Sequence, residues 1–256
     1  RINNNCSNRW SFRMINAVII TPVPDVIDTM INNSILKKSI KNEIANIHVV
    51  NLRDYGIGNY KKIDDSPYGG GSGMILMAEP LINALKDAKN ICSNSDKTEV
   101  IFPSPQGKMW QQSDAEKFSK ITDMIFICGH YKGVDERFIQ KYITKQFCIG
   151  EYILTSGEIP TMLILDSILR LVPGTLNNID SAMTDSFSVG LLDHPHYTQP
   201  RIIENMSVPD LLVSGDHKKI SSWRYEQRVM RTKKARSEMW KKYKQNKYSF
   251  GEVNDE

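Results

Sequence analysis

The sequence has few cysteines and no long apolar run. Its 256 residues include four cysteines without a C-x-x-C pair, and Cys128 and Cys148 stand in apolar, strand-like runs. Isolated cysteines in such runs are typical of buried small hydrophobes in a reducing compartment. No apolar stretch approaches the length of a membrane span, and the short one at 17–20 is cut off by Pro22 and Pro24. We therefore expect a cytoplasmic globular protein without a secretory signal.

Several common signatures of nucleotide and metal enzymes are also missing. The sequence contains no G-x-x-x-x-G-K-[ST], no G-x-G-x-x-G between a predicted strand and a helix, no H-E-x-x-H and no G-x-S-x-G. These absences argue against P-loop enzymes, dinucleotide-binding domains, zincins and α/β-hydrolases. His194 and His196 lie beside Asp193, but no further ligand follows at metal-site spacing, so the sequence predicts no metal site.

What the sequence does have is a regular alternation of short apolar runs and helical patterns from residue 14 to about 176. The predicted strands are 17–21, 47–52, 99–103, 124–128 and 147–154. The predicted helices lie near 24–40, 79–89, 111–121, 134–145 and 158–171. Continuous apolar strands that alternate with helices predict an α/β fold, with a parallel sheet covered by helices on both faces.

Changes in composition predict the domain boundaries. The asparagine-rich residues 1–13 are predicted to be a disordered extension, so the first domain spans 14–176. Residues 177–188 have the small, polar character of an interdomain linker, and residues 189–256 form a predicted small, mainly α-helical C-terminal domain.

Positive charge is concentrated near the C-terminus. The net charge is only +4, but twelve Lys or Arg residues lie between Lys218 and Lys247, against Glu226 and Glu238. Such a local excess attracts a polyanion such as RNA. The alternative interpretation is a solvated basic helix face.

Glycine clusters mark the candidate ligand loops. In "DSPYGGGSGM" (65–74), four of the five residues from 69 to 73 are glycine, which is unfavourable unless the backbone requires it. Glycine-bearing turns also occur in "SPQG" (104–107), "CGHYKGVDER" (128–137) and "IGEYILTSGEIP" (149–160). Because ligands of open parallel sheets lie beyond the carboxyl ends of the strands, these turns predict a nucleotide-like ligand held largely by main chain. Tight turns without a ligand are the alternative for any single loop.

These same loops carry a family resemblance. Together with "IGEYILTSGEIPTMLILDSILRLVPG", "DSFSVGLLDHPHYTQP" and "VPDLLVSGDHKKISSWR", they follow the order found in bacterial tRNA (guanine-N1)-methyltransferases of the TrmD type, from about Met14 to Arg231. The resemblance implies a SPOUT-class α/β domain with a deep trefoil knot, and a homodimer with its active site at the subunit interface. It implies methyl transfer from S-adenosylmethionine to guanine N1 at position 37 of tRNA, with residues 189–256 binding tRNA. The resemblance also explains the glycine clusters, because other backbone segments and the ligand would pass close to them.

The resemblance implies roles for individual residues. Cofactor contacts, mostly through main-chain atoms, fall on Ser104, Pro105, Gln106, Gly107, Gly129, Tyr131, Ile149, Gly150, Tyr152, Leu154, Gly157 and Pro160. Asp185 is expected to be the general base that removes the N1 proton, and Arg170 the cation that stabilises charge on O6. Without the resemblance, Asp185 is interpreted as a helix cap and Arg170 as a partner of a helix dipole. Asp193 is a further candidate carboxylate with a structural alternative.

Three positions depart from the family pattern. His130 stands where the family usually has arginine, Lys132 where it has glutamate, and Ser156 where it has glycine. The family glutamate is associated with the target base and Mg²⁺, so its replacement by lysine puts a magnesium requirement in doubt. Two alternatives stay open: a catalytically impaired homologue that binds tRNA and cofactor, and a knotted methyltransferase acting on another RNA site.

Overall fold

The computed structural model describes residues 14–176 and 185–249. The chain divides between residues 177 and 178 into two compact units. The predicted extension 1–13 lies outside the described residues, as do residues 177–184 of the predicted linker.

A five-stranded parallel sheet forms the centre of the first unit. Its strands, with those of a small separate hairpin, are β1 (Ile15–Thr21), β2 (Ala45–Asn51), β3 (Asp64–Asp65), β4 (Ile75–Leu76), β5 (Glu99–Met109), β6 (Asp123–Ile127) and β7 (Lys145–Cys148). The sheet order is β2-β1-β6-β5-β7, and β3 and β4 pair antiparallel as the hairpin. Every residue of β1 and β6 is buried, as expected for central strands covered on both faces. The predicted parallel α/β fold is confirmed.

Helices cover both faces of this sheet. They are α1 (Pro24–Ile31), α2 (Ser34–Lys41), α3 (Ala78–Ile91), α4 (Gln112–Phe118), α5 (Glu136–Tyr142) and α6 (Glu158–Leu169). One hydrophobic cluster joins the sheet to α1, α2, α4 and α6, and a second joins it to α3 and α5. The connections therefore wind around both sides of the sheet and leave its carboxyl edge open to the loops.

Two predicted elements end earlier than expected. The single helix predicted at 24–40 is two helices, because Asn32 ends α1 and Ser34 begins α2 with a φ of 52°. The strand predicted at 147–154 ends at Cys148, which pairs with Met109 at the end of β5. Since β5 extends no further, the chain after Cys148 has no neighbouring strand to pair with, and it leaves the sheet.

The second unit is mainly helical. It contains a two-residue hairpin (Ile202–Ile203 with Met206–Ser207), a long helix (His217–Ala235) and a last helix (Ser237–Ser249). The Asp216 side chain caps the long helix by accepting a hydrogen bond from the Lys219 backbone N–H at 3.1 Å. Neither this helix nor any other in the described ranges is long and apolar enough to cross a membrane.

Candidate functional site

A pocket of about 200 Å³ lies beyond the carboxyl ends of β5, β6 and β7. Three loops wall it: residues 102–105 on β5, residues 129–133 after β6, and residues 147–150 and 152–157 from the end of β7 to α6. Pro160, in the first turn of α6, completes the lining. In open parallel sheets this edge is where ligands bind.

A bulge in β5 shapes the first wall. Both Pro103 and Lys108 pair with Phe147, so residues 104–107 leave the ladder between them. The Ser104 hydroxyl accepts a hydrogen bond from the Gln106 backbone N–H at 3.2 Å, which holds this excursion. A Cβ on Gly107 would lie 2.4 Å from the Phe147 backbone N, so only glycine lets the strand close again against β7.

The second and third walls meet at a close backbone contact. The Gly157 N–H donates to the Gly129 carbonyl O at 2.8 Å. A Cβ on Gly157 would lie 2.5 Å from the Gly129 backbone N and 2.8 Å from the Cys128 Cα. Because these are backbone atoms that have little room to shift, position 157 requires glycine for close approach.

The third wall carries exposed apolar and aromatic side chains. Gly150 lies under Tyr152, since a Cβ there would come within 2.2 Å of the Tyr152 ring. Tyr152 is 56% exposed and Ile153 is 81% exposed, so both present apolar surface at this wall. Apolar surface beside exposed backbone groups suits a ligand with one flat apolar part and several polar atoms.

The structure brings most of the predicted cofactor contacts to this one pocket. Ten of the twelve residues line it: Ser104, Pro105, Gly129, Tyr131, Ile149, Gly150, Tyr152, Leu154, Gly157 and Pro160. Gln106 and Gly107 do not line it, and instead belong to the β5 bulge beside it. The two predicted catalytic residues lie elsewhere in the chain: Arg170 caps the carboxyl end of α6, and Asp185 opens a turn in the second unit.

Sequence reasoning missed a buried polar group beside the pocket. Glu158, the first residue of α6, is only 1% exposed, and its Oε1 accepts a hydrogen bond from the Thr21 hydroxyl at the end of β1. Its other oxygen lies 3.4 Å from Nε2 of His130, close enough for an ion pair when the imidazole is protonated. The only sequence signal was an acid at the start of an apolar helix, where the helix dipole favours negative charge.

A buried thiol lies next to this carboxylate. Burial raises the pKa of the Cys128 thiol well above its usual range, and the charge of Glu158 raises it further. The Cys128 Sγ lies 3.5 Å from the Thr161 hydroxyl. Because a thiol is a nucleophile only as the thiolate, Cys128 is a packing residue and not a catalytic group.

Left-handed backbone accounts for the glycines of residues 69–73. Gly69, Gly70, Gly71 and Gly73 all have positive φ angles, between 78° and 117°. Nothing lies within 4 Å of a Cβ built on the first three, so no segment of the described chain presses on them. This loop joins β3 to β4, and its left-handed backbone favours glycine there, while close approach of a ligand stays a prediction.

The described pocket does not suit Mg²⁺. Magnesium prefers oxygen ligands, chiefly carboxylates, and none of the residues that line the pocket carries one. Lys132, which lines the pocket, adds an ammonium group that repels a cation. The residues that line the described pocket therefore do not fit Mg²⁺.

The fold and the pocket define a class of protein. A parallel α/β sheet whose glycine-bearing loops enclose a pocket beyond its strand ends is typical of α/β proteins that bind a nucleotide-like ligand.

Comparison with known proteins makes the assignment specific. The model of the family tRNA (Guanine-1)-methyltransferase TrmD matches residues 15–242. The chain is 46% identical over 224 residues to the tRNA (guanine-N(1)-)-methyltransferase of Staphylococcus carnosus, covering 88% of this chain and 90% of that protein. It is 45% identical over 225 residues to the protein of that name from Listeria welshimeri, covering 88% and 91%. The chain belongs to the TrmD family of methyltransferases, and the resemblance seen in its motifs is confirmed.

Removal of the Glu158 carboxylate should destabilise the first unit. Glu158→Ala leaves the buried Thr21 hydroxyl without its acceptor, and we expect the free energy of unfolding to fall by about 1–3 kcal/mol in urea titrations. Glu158→Gln keeps an acceptor oxygen, so its free energy of unfolding should fall by less. The matched control is Glu151→Ala, an exposed acid of the same loop, which should change stability by less than about 0.5 kcal/mol. Equal losses for Glu158→Ala and Glu151→Ala would contradict this role.

Proposed function

We propose that this protein methylates N1 of guanine at position 37 of tRNA, with S-adenosylmethionine as methyl donor. The observation that carries the proposal is the convergence of ten motif residues on one pocket, in a chain of the TrmD family. The names of its relatives give the reaction class, and the resemblance gives the position in the tRNA. Isolated cysteines agree with a cytoplasmic site of action.

The pocket residues fit the proposed donor. Leu154 and Pro160 offer apolar surface for an adenine ring, and the glycines at 129, 150 and 157 line the pocket without side chains that would occupy it. S-adenosylmethionine would supply an electrophilic methyl group from its sulfonium. The chain's own contribution is to hold the donor and to exclude water from the methyl group.

The target base requires more chemistry than the donor. Guanine N1 carries a proton and is a poor nucleophile until that proton leaves. We assign Asp185 as the general base that accepts it, and Arg170 as the cation that stabilises the negative charge developing on O6. Both roles come from the family resemblance.

We propose a homodimer, which the exposed apolar side chains of the first unit support. The adjacent helices α1 and α6 each expose an apolar pair at i, i+4 spacing: Val26 and Met30 on α1, Ile159 and Leu163 on α6. These side chains are between 38% and 51% exposed. Monomers rarely expose contiguous apolar patches, and a second copy of the chain is the occupant that the resemblance implies.

We also propose that the first unit contains the trefoil knot of the SPOUT class. The support is the path of the chain after β7, the edge strand. Residues 149–156 reach Gly157, which bonds to Gly129 after β6, although β5 lies between β6 and β7. The segment therefore passes the carboxyl end of β5 at close range, as a threaded chain must.

Contacts in the second unit support its proposed role in binding tRNA. Trp240 is flanked by Lys233, whose Nζ lies 4.7 Å from the ring centroid, and by Lys244, at 5.8 Å. Ammonium groups held beside an aromatic ring combine charge that attracts phosphate with aromatic surface, the two features that single-strand binding sites use.

The first test of the proposal measures the cofactor pocket by itself. Calorimetry should show that S-adenosylmethionine and S-adenosylhomocysteine bind with similar affinity, because main-chain and apolar contacts do not depend on the methyl group. Leu154→Ala should weaken both by about tenfold, since a truncated apolar contact costs on the order of 1–2 kcal/mol. Tyr60→Ala is the control, as this 96% exposed side chain does not line the pocket. Failure of both ligands to bind would refute the pocket assignment.

The second test measures methyl transfer. With labelled cofactor and a tRNA transcript that has guanines at positions 36 and 37, nucleoside analysis should find N1-methylguanosine. Asp185→Asn should lower kcat by at least about 100-fold, the range expected for loss of a general base. Asp96→Asn, the same change at an exposed acid of the first unit, should leave kcat unchanged.

Other outcomes of this assay separate the alternatives. Cofactor and tRNA binding without turnover would identify an impaired homologue, particularly if Lys132→Glu then raised the rate. A different methylated nucleoside would indicate another RNA site. Full activity in Asp185→Asn would remove Asp185 from its role.

The third test addresses the dimer. Leu163→Arg places a charge in the exposed apolar pair of α6, and sedimentation should then show a shift from dimer toward monomer. The matched control is Lys86→Glu, a charge change on the exposed side of α3, which should leave the dimer intact. A wild-type protein that is monomeric at micromolar concentration would contradict the proposal.

A further inference from the structure

We propose that Asp193, His194 and His196 of the second unit form a binding site for a divalent transition-metal ion such as Zn²⁺. One ligand atom from each side chain lies within 4.8 Å of the other two. The sequence predicted no metal site here, because no ligand follows at a conventional spacing. The folded loop supplies all three ligands from four consecutive residues, an arrangement that spacing rules do not cover.

The separations of the ligand atoms suit a tetrahedral ion. Nε2 of His196 is hydrogen-bonded to Oδ2 of Asp193 at 2.9 Å, a contact that the ion would replace, and Nε2 of His194 lies 3.8 Å from Oδ1 of the same carboxylate. Ligands about 2.0–2.2 Å from a tetrahedral Zn²⁺ are roughly 3.3 Å from one another. The two imidazoles approach different oxygens of the carboxylate, and side-chain rotation would bring one atom of each residue to the ion.

The hydrogen bond of His194 directs a lone pair at the carboxylate. Its Nδ1 lies 3.0 Å from the Pro195 carbonyl O, and because a carbonyl only accepts, Nδ1 must carry the proton. In the neutral ring Nε2 is then an acceptor, and it faces Asp193 Oδ1, which is also an acceptor. A cation between them, either a proton or a metal ion, relieves this repulsion. Histidines that ligate metals commonly donate their other N–H to a backbone carbonyl in this way.

Asp193 is held in place for this role. Its backbone N–H donates to the Ser186 hydroxyl at 2.9 Å, and its Oδ1 accepts from the His194 backbone N–H at 2.7 Å. The guanidinium of the nearby Arg231 donates a hydrogen bond to the backbone carbonyl O of Asp193, at 3.5 Å, rather than to its carboxylate. The carboxylate therefore stays directed toward the two imidazoles.

The site has room for a fourth ligand. His194 and His196 line a pocket of about 730 Å³, which Trp223 and Arg224 also line. Three protein ligands with one position open to a pocket are typical of zinc sites that keep a bound water. Two imidazoles and one carboxylate favour Zn²⁺, Cu²⁺ or Ni²⁺ over Mg²⁺, which prefers oxygen ligands.

Zinc titration of the full chain, with any affinity tag removed, tests this proposal. Calorimetry with ZnCl₂ should give one ion per chain. His194→Gln and His196→Gln should each weaken binding by at least about tenfold, the loss that even an indirect partner of a metal ligand produces. The matched control is His48→Gln, the same change in the first unit, which should keep the affinity of the original protein.

Each other outcome counts against the site. No binding of Zn²⁺ at millimolar concentration would refute it, and so would unchanged affinity in His196→Gln. Equal weakening in His48→Gln would place the ion elsewhere. Because the readout is metal binding and not methyl transfer, failure here leaves the proposed reaction unaffected.

Discussion

The hydrogen bond between the Gly157 N–H and the Gly129 carbonyl O is the contact on which the site depends. At 2.8 Å it joins the start of α6 to the loop after β6, across the end of β5. No side chain fits there, since a Cβ on Gly157 would lie 2.5 Å from the Gly129 backbone N. This approach brings residues 149–156 over the sheet edge and so encloses the pocket.

The same approach forces a carboxylate into the interior. Once Gly157 lies against Gly129, the next residue, Glu158, is carried below the surface, where an isolated charge is costly. Three features offset that cost: the hydroxyl of Thr21, the imidazole of His130 and the positive end of the α6 dipole. The ends of β1 and β6 and the start of α6 are thereby joined through one buried side chain, which stiffens the floor beside the pocket.

The sequence predicted the sheet well because buried parallel strands appear as continuous apolar runs, as in β1 and β6. Prediction from the sequence failed where the end of a helix or strand depends on a partner that is distant in sequence. Ile153 belongs to an apolar run, but β5 ends opposite Cys148, so the run has nothing to pair with. Periodicity likewise gave no indication that Ser34 would adopt a φ of 52° and divide a helix.

The residues of the candidate site also divide into those that a local sequence pattern predicts and those that depend on distant partners. Motif resemblance found ten of the residues that line the pocket, because main-chain loops with glycine leave a recognisable pattern. The pairing of Glu158 with Thr21, across 137 positions of sequence, leaves no local pattern and was missed. The sequence showed that the backbone requires glycine at 69–71. It did not show whether the reason is a positive φ angle in open space or close packing.

The departure from the family pattern at Lys132 changes charge more than shape. The Lys132 backbone N–H donates to the Met74 carbonyl O at 2.9 Å, a contact that any residue other than proline can make. The aliphatic part of the Lys132 side chain packs against Gly73, where an added Cβ would lie 2.8 Å from the Lys132 Cγ. The loop after β6 therefore keeps its connection to β4 whichever charge is present at position 132. What differs is a positive field at the pocket, which favours an anionic ligand or a deprotonated base over a metal ion.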